Sequence, residues 1–481
     1  MGSAEPHQLH IFFFPFMAQG HLLPAKDMAR LFASHGVKVT IITTPLNAPL
    51  FSNTIDHGNQ LGLDISIQLI PFPSEEAGLP PGCENVSSIQ NSSELVPKFF
   101  KSLDLLQKPL EDLLQEHRPD CLVADMFFPW ATDIAAKLGI PSLIFHGTGF
   151  FSLCALDSLR RYKPFENIES ETQTFIVPNL PDQIELMRSQ LPVSLKTPSE
   201  LWQRIIESEG KSYGVLVNSF YELEPAYADH YRKVIGRKAW HIGPVSLSNR
   251  GIADKAQRVN RAKSIEDDEC LSWLNSKKPN SVLFVSFGSV VRFTASQLIE
   301  IAMGLEASGC SFIWVVRAKD EGEQRWMPEG FEGKGLIIRG WAPQVLILDH
   351  PAVGGFVTHC GWNSTLESVS AGVPMITWPI FAEQFNNEKL VTQVLRIGVS
   401  VGAHEWRVGG FVGGERAAVK REDIEKAIEQ LMGDGEEAEQ MRTRAMELKE
   451  MGRRAVEAGG SSYIDLTALI EELRLHPKPA V

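Results

Sequence analysis

A run of unlike polar and aromatic residues follows an apolar segment in FVTHCGWNSTLES, residues 356–368. The apolar part predicts a buried strand, and Asn363 or Ser364 is expected to begin the next helix. Backbone N–H groups and the positive end of the helix dipole would then face whatever lies above Gly361. This stretch is therefore a candidate anion-binding site. Alternatively, Ser364 and Glu367 only form a capping box that satisfies the end of the helix.

Ligands of open α/β sheets bind at the carboxyl ends of the strands, so residues after other apolar runs are candidates as well. The residues selected in this way are His21 after LHIFFF, Asp125 at the end of CLVAD, Gly288 and Ser289 after SVLFVSF, and His359 after GGFVT. The first two pair a histidine with an aspartate in one half of the chain. The others are positions suited to an anion in the other half.

Apolar β-type runs alternate along the chain with longer amphipathic segments, which is typical of parallel sheets covered by helices. We predict an α/β fold with two Rossmann-like domains that face each other across a cleft. Residues 1–245 would form the first domain, residues 246–265 a charged linker, and residues 266–460 the second domain. A helix at about 461–481 would pack back on the first domain.

Composition excludes several classes of protein. The chain has 481 residues with a net charge of −13, which argues against a nucleic-acid partner because phosphate binding requires a positive surface. The chain has no uninterrupted run of about 18 apolar residues, so stable membrane insertion is not expected. Six cysteines show no zinc spacing and are expected to be free thiols of a reducing compartment. The expected state is a cytoplasmic monomer.

The 44-residue segment WAPQVLILDHPAVGGFVTHCGWNSTLESVSAGVPMITWPIFAEQ, residues 341–384, resembles the signature box of the plant secondary-product UDP-sugar glycosyltransferases. The early His21, Asp125 and SFGS at 286–289 also resemble this family. The resemblance implies a GT-B fold whose second domain binds a UDP-sugar. PFMAQGHLLPAKDMA and VADMFFPWATD look most like the branch that acts on flavonoids and triterpenoids.

The resemblance implies a role for each donor-site residue. Those implied for the uridine are Trp341, stacked on the uracil, Ala342 and Gln344 at its edge, and Glu367 at the ribose. Those implied for the diphosphate are Ser289, His359, Asn363 and Ser364, with Gly288 and Gly361 beside them. Those implied for the sugar hydroxyls are Trp362, Glu383 and Gln384.

In this family the reaction needs a base that takes a proton from an acceptor hydroxyl as it attacks and inverts the anomeric carbon. His21 fits that role, and Asp125 would orient its imidazole and stabilise the imidazolium. Fixed donors can stabilise the leaving UDP, so we expect no metal and no cofactor beyond the UDP-sugar co-substrate. No Asp-x-Asp pair occurs in the chain.

The substrates are less constrained by the sequence. The aromatic and apolar residues that flank the predicted site, and that could line an acceptor pocket, are Phe14, Phe16, Met17, Phe127, Phe128, Phe150 and Phe381. In the resembling family a glutamine at this position, residue 384 here, usually accompanies glucose. UDP-glucose is therefore expected, with UDP-galactose, UDP-xylose and UDP-glucuronic acid as alternatives. Two other classes are a nucleotide-dependent oxidoreductase and a non-catalytic small-molecule binder. The Gly-x-Gly-x-x-Gly motif typical of the first class is absent from this chain.

Overall fold

The structure is a computed structural model, and it describes residues 8–89, 92, 94–197, 199–248, 267–316, 327, 330–407, 411–412 and 418–477. The predicted linker at 246–265 lies almost wholly outside these residues. Among the described residues, no helix is both long and apolar enough to cross a membrane.

Two parallel sheets form the centre of the molecule, so the predicted α/β class is confirmed. The first has the order β3-β2-β1-β4-β5-β8-β9 and the second β13-β12-β10-β14-β15-β16. The strands are β1 His10–Phe14, β2 Lys38–Thr43, β3 Ile65–Leu69, β4 Cys121–Asp125, β5 Ser142–Phe145, β6 Thr174–Val177, β7 Ile184–Met187, β8 Gly214–Val217, β9 Ala239–His241, β10 Val282–Ser286, β11 Arg292–Phe293, β12 Ser311–Val316, β13 Leu336–Arg339, β14 Val353–Thr358, β15 Met375–Thr377, β16 Gly398–Ser400 and β17 Phe411–Val412. β6 pairs with β7, and β11 with β17, outside these sheets.

Helices cover the sheets, as buried parallel strands require. They are α1 Gln19–Ser34, α2 Pro49–Gln60, α3 Ser74–Ala77, α4 Val86–Ile89, α5 Leu95–Asp104, α6 Gln107–His117, α7 Trp130–Lys137, α8 Phe150–Tyr162, α9 Val193–Lys196, α10 Glu200–Lys211, α11 Pro225–His230, α12 Asp267–Asn275, α13 Ala295–Ala307, α14 Gln344–Leu348, α15 Trp362–Ala371, α16 Gln384–Lys389, α17 Arg421–Met432, α18 Glu436–Ala455 and α19 Ser461–Leu475.

The two halves share buried apolar contacts. Phe150 and Phe151 of the first half belong to the same buried cluster as Phe356 and Trp362 of the second. The last helix, α19, places Leu466 and three further apolar side chains in the core of the first sheet. The end of the chain thus packs on the half where the chain begins.

Strand order brings the candidate residues together. β1 pairs with β4, with Phe14 beside Ala124, so the segments after these strands start next to each other. β10 pairs with β14, with Ser286 beside Thr358, and this places Ser289 and His359 on adjacent loops. Both pairs of strands point their carboxyl ends at the space between the halves, where open α/β sheets bind ligands.

Candidate active site

A cavity of about 820 Å³ lies between the two halves. Its walls include His21, Phe127 and His146 from the first half. From the second half they include the residues that sequence analysis assigned to the donor: Gly288, Ser289, Trp341, Ala342, Gln344, His359, Gly361, Trp362, Asn363, Ser364, Glu367, Glu383 and Gln384. The cavity can therefore hold two small molecules that meet near His21.

His21 and Asp125 are hydrogen-bonded, with 2.6 Å between His21 Nδ1 and an Asp125 carboxylate oxygen. The Asp125 side chain is fully buried, and its second oxygen accepts from the backbone N–H of Phe127 at 3.1 Å. Phe16 and Phe127 contact the imidazole edge-to-face. Since Nδ1 is engaged, Nε2 is the atom left for proton transfer.

Burial opposes protonation of His21, but the charge and hydrogen bond of Asp125, together with Glu383, outweigh it and raise the pKa of the imidazole. The arrangement stabilises the imidazolium that forms when the ring takes a proton. Glu383 belongs to the second half. Its influence on His21 therefore couples the two sides of the cavity.

Glu383 is held by a network that crosses between the halves. Asn387 donates to Glu383 Oε1 at 3.2 Å and to the carbonyl oxygen of Cys360 at 2.8 Å. Ser152 of α8 donates to Asn387 Oδ1 at 2.7 Å. Burial raises the pKa of the Glu383 carboxyl, and the positive charge of His21 and the Asn387 hydrogen bond offset only part of that effect.

The turn from β14 to α15 contains a residue in left-handed conformation, Cys360, with φ of 61°. This conformation is uncommon for a residue with a side chain and often marks a functional turn. The helix begins at Trp362, with Gly361 as its N-cap and no side-chain cap. The alternative of a capping box at Ser364 and Glu367 is thus wrong, because Ser364 already lies inside the first turn.

Ser364 and Glu367 are instead joined by Gln344. Its side-chain amide donates to Ser364 Oγ at 3.1 Å and to Glu367 Oε2 at 2.8 Å. Trp341 and Ala342 lie just before this glutamine and also line the cavity. The residues implied for a uridine are therefore assembled in one place.

His359 packs closely against two glycines. A Cβ added to Gly288 would lie 2.7 Å from the His359 ring, and one added to Gly361 would lie 2.5 Å from His359 Nε2. Gly288 also has φ of +72°, which side chains rarely adopt. The imidazole, the N-terminal amides of α15 and Ser289 thus line one edge of the cavity, which suits an anion.

Two donor-site residues have contacts that sequence analysis did not predict. The Trp362 side chain is only 2% exposed, and its indole N–H donates to the carbonyl oxygen of Asn218 at 2.7 Å. The indole nitrogen is therefore not free for a sugar hydroxyl. Asn363 donates from its amide to the carbonyl oxygen of Gly20 at 2.7 Å, in the helix that carries His21.

The predicted acceptor residues divide into two groups. Phe16, Phe127 and Phe381 line the cavity. Phe14, Met17, Phe128 and Phe150 do not, since each is at most 1% exposed and belongs to the hydrophobic core. Phe128 stacks on Phe14 with ring centroids 4.1 Å apart, and Phe150 packs against Tyr231 and His241. Prediction of an acceptor role for these four was wrong, because their side chains point away from the cavity.

Several lining residues were missed. These include Phe100, His146, Arg160, Trp202, Glu209, Arg237 and Trp406. His146 directly follows β5, so the strand-end rule could have selected it. Arg160, Trp202 and Glu209 lie on α8 and α10, and no sequence signal marks which of their faces meets the cavity.

A family model described as UDP-glucoronosyl and UDP-glucosyl transferase matches residues 81–441, more than half of the chain. The UDP-glucose flavonoid 3-O-glucosyltransferase 7 of Fragaria ananassa is 58% identical to this chain, and the match covers 98% of each. The scopoletin glucosyltransferase of Nicotiana tabacum is 57% identical, over 97% of this chain and 98% of its own.

Solved structures agree with these matches. UGT73P12 of Glycyrrhiza uralensis, complexed with glycyrrhetinic acid 3-O-monoglucuronide, has a TM-score of 0.91 and 46% identity, covering 98% of this chain and 96% of its own. UGT71G1 of Medicago truncatula, complexed with UDP-glucose, has a TM-score of 0.75 and 28% identity, covering 97% of this chain and 98% of its own. The predicted GT-B fold is confirmed, and the oxidoreductase and non-catalytic binder alternatives are set aside. The chain belongs to the UDP-glucoronosyl and UDP-glucosyl transferase family and is a plant secondary-product UDP-glycosyltransferase.

Proposed function

We propose that the protein is an inverting O-glycosyltransferase that moves glucose from UDP-glucose to a hydroxyl group of a lipophilic plant metabolite. The observation that carries the proposal is the 2.6 Å His21–Asp125 pair, which faces the family's donor residues across one cavity. A general base and a nucleotide-sugar site in the same space are the two parts that this transfer requires.

In the proposed step, His21 Nε2 takes the proton of the acceptor hydroxyl while the oxygen attacks the anomeric carbon. The new bond is the glycosidic C–O bond, and the bond that breaks joins the anomeric carbon to the UDP oxygen, which keeps the electron pair. Attack opposite to the leaving group inverts the configuration. Asp125 stabilises the imidazolium, and His359 with the α15 amides stabilises the charge that develops on UDP.

The acceptor class follows from the cavity and from the relatives. Its first-half wall includes the aromatic side chains of Phe16, Phe100, Phe127 and Trp202. Relatives are named for flavonoid, scopoletin and anthocyanin acceptors, and a structural neighbour contains a triterpenoid glucuronide. We therefore propose flavonoid or triterpenoid aglycones and glycosides as acceptors, with galactose, xylose or glucuronic acid as the alternative donor sugars.

The test is a screen of UDP-glucose with flavonoids, triterpenoids and simple phenols, read by mass spectrometry. We expect a mass gain of one hexose on at least one lipophilic hydroxyl compound, and its loss in His21→Ala. A screen with all four UDP-sugars that gives no product with any acceptor would overturn the proposal. Transfer that persists in His21→Ala would leave the reaction class intact and remove His21 as the base.

Three finer features are part of the proposal. Turnover is metal-independent, because His359 and the helix amides line the proposed diphosphate site. A cytosolic location is supported by the cysteines, all six of which are free thiols. We also propose a monomer, because the proposed base and the proposed donor residues already meet in one cavity within a single chain.

A further inference from the structure

Arg160 lies in the last turn of α8 and lines the cavity on the first-half side. Its guanidinium lies over the Trp202 ring, 5.9 Å from the centroid. Within the part of the chain that the structure describes, Arg160 makes no hydrogen bond and no ion pair. Burial lowers the pKa of this guanidinium, and the charges of Glu209 and Asp157 offset that effect only in part. Arg160 is thus a desolvated cation in the wall of the cavity.

The neighbouring carboxylates are already engaged. Glu209 interacts with His146 at 3.0 Å, accepts from Tyr231 at 2.8 Å and lies 3.7 Å from Arg237. Burial alone would raise the pKa of Glu209, but these partners outweigh it and lower the pKa to about 2. Glu209 is therefore charged at any working pH and committed to its own partners.

Asp157 is the other carboxylate on this side, and it pairs with Arg161 at 2.7 Å. Asp157 balances Arg161, and Glu209 balances Arg237. Among the described residues, therefore, no carboxylate is paired with Arg160 alone. A half-buried guanidinium without a matching anion is costly unless a ligand supplies one.

The cluster lies close to the proposed base. His146 precedes Gly147, and a Cβ on Gly147 would lie 3.4 Å from the His21 ring. His146, Glu209 and Arg160 line the same cavity as His21, so an acceptor whose hydroxyl reaches His21 can also extend along them. Its far end can meet Arg160.

We propose that Arg160 binds a carboxylate of the acceptor, so that hydroxylated acids are preferred over their neutral counterparts. The inference rests on the proposed function, since the same cavity must hold the acceptor. A planar guanidinium pairs with a carboxylate through two parallel N–H···O bonds, and stacking on Trp202 leaves its edge free for them. The carboxylate can be the acid of an aglycone or the uronic acid of a glycoside.

The test compares matched acceptors. A flavonoid acid, a triterpenoid acid and a triterpenoid glucuronide are each assayed beside their methyl esters, and kcat/KM is measured for every compound that accepts glucose. We expect at least one acid to exceed its ester by about tenfold to a hundredfold, because hydrogen bonds between charged groups contribute that much. The aglycone and glucuronide pairs separate the two sources of the carboxylate.

Arg160→Gln should remove most of this acid-to-ester preference, and Arg160→Lys should keep part of it. The matched control is Arg204→Gln, a surface arginine on α10 that pairs with Asp104 at 3.0 Å and should leave the ratio unchanged. Thermal unfolding of each variant checks that it is folded. Acids and esters whose hydroxyls are methylated cannot accept a sugar and serve as competitive inhibitors against any accepted phenol. The ratio of their inhibition constants then measures the acid-to-ester preference even where an acid is not turned over.

Esters used or bound as well as the acids by the wild-type enzyme would overturn the proposal. If Arg160→Gln lowered kcat/KM equally for acid and ester, the proposal would also be overturned, because Arg160 would then act only by packing on Trp202. If neutral phenols receive glucose but acids are not preferred over their methyl esters, the carboxylate site is refuted and the proposed function stands. If nothing receives a sugar, the proposed function itself fails.

Discussion

Asn363 of the second half donates a hydrogen bond to the carbonyl oxygen of Gly20 in the first half, at 2.7 Å. Gly20 directly precedes His21 in the first turn of α1. Asn363 is in the first turn of α15, whose N-terminus faces the proposed diphosphate site. The hydrogen bond therefore connects the helix of the proposed base to the helix of the proposed donor site.

Asn363→Ala should lower kcat about tenfold while the Kd for UDP changes less than about threefold. The lost hydrogen bond contributes only about 1 kcal/mol, but misplacement of His21 reduces turnover further. Steady-state kinetics and UDP calorimetry make the comparison. If UDP affinity falls as far as kcat, Asn363 acts mainly on the diphosphate, as the family resemblance implied.

The pH profile of kcat/KM should report His21. A base works unprotonated, so activity should rise with pH through a midpoint above the ordinary histidine pKa of about 6.5. In Asp125→Asn the charge that raises this pKa is lost while burial, which lowers it, remains. The midpoint should therefore move to lower pH, and the plateau should fall about tenfold to a hundredfold because the imidazole is less well oriented. A midpoint that is unchanged or higher would contradict this role for Asp125.

Gly288→Ala should weaken UDP binding about tenfold or more. The new Cβ would lie 2.7 Å from the His359 ring, so the imidazole must move away from the proposed diphosphate site. The control is Gly309→Ala, because Gly309 also has positive φ, at +64°, but has no atom within 4 Å of an added Cβ. It should lower the free energy of unfolding by about 1 kcal/mol and leave UDP affinity unchanged. Equal effects of both variants on UDP affinity would show that backbone strain, and not His359, is responsible.

Activity should survive an excess of chelator. Backbone amides of α15 and the His359 side chain are the groups expected to meet the diphosphate, and they need no bridging cation. The measurement is initial rate with and without EDTA, using one accepted acceptor. Complete loss, restored by Mg²⁺ or Mn²⁺, would refute metal-independent transfer.

Sequence reasoning succeeded where strand order decides position. Asp125 ends β4 and His21 follows β1, and these strands are neighbours in a parallel sheet. His359 and Ser289 follow two other neighbouring strands. Residues that follow the carboxyl ends of adjacent parallel strands are brought to the same edge of the sheet.

Sequence reasoning failed where the direction of a side chain or the packing of helices determines which residues line the cavity. Phe127 and Phe128 are adjacent, yet Phe127 lines the cavity and Phe128 stacks in the core. The Arg160 guanidinium of α8 lies over the Trp202 ring of α10, a contact between residues far apart in the chain. A single sequence gives the periodicity of each helix but not the face that its neighbours leave open.

Gln384 has one side of its amide already engaged. Its Oε1 accepts from the backbone N–H groups of Ile380 at 2.9 Å and Phe381 at 3.0 Å. The residue lines the cavity, and Nε2 has no partner among the described residues. The side chain is therefore fixed in the orientation that presents an N–H donor to the cavity, where the sugar is proposed to bind.

Gln384→Glu should keep the contacts to Ile380 and Phe381 and replace that donor with an acceptor. We expect kcat/KM for UDP-glucose to fall about tenfold to a hundredfold, because a buried sugar hydroxyl loses its donor. The Kd for UDP should stay within about twofold, since the residues proposed for the uridine and the diphosphate lie elsewhere in the cavity. Equal losses for UDP and UDP-glucose would mean that the substitution disturbs the loop and not the sugar.

The wild-type enzyme should prefer UDP-glucose over UDP-galactose by about tenfold to a hundredfold, because the two sugars differ in one hydroxyl and a mismatched buried group costs about 1–3 kcal/mol. Gln384→His moves the donor to a ring nitrogen and should shift this ratio toward galactose. The measurement is competition among UDP-glucose, UDP-galactose, UDP-xylose and UDP-glucuronic acid at equal concentrations with one accepted acceptor. Equal or better use of a rival sugar by the wild type would show that Gln384 does not set the donor. In that case Glu383, which lies beside it and interacts with His21, becomes the residue to vary next.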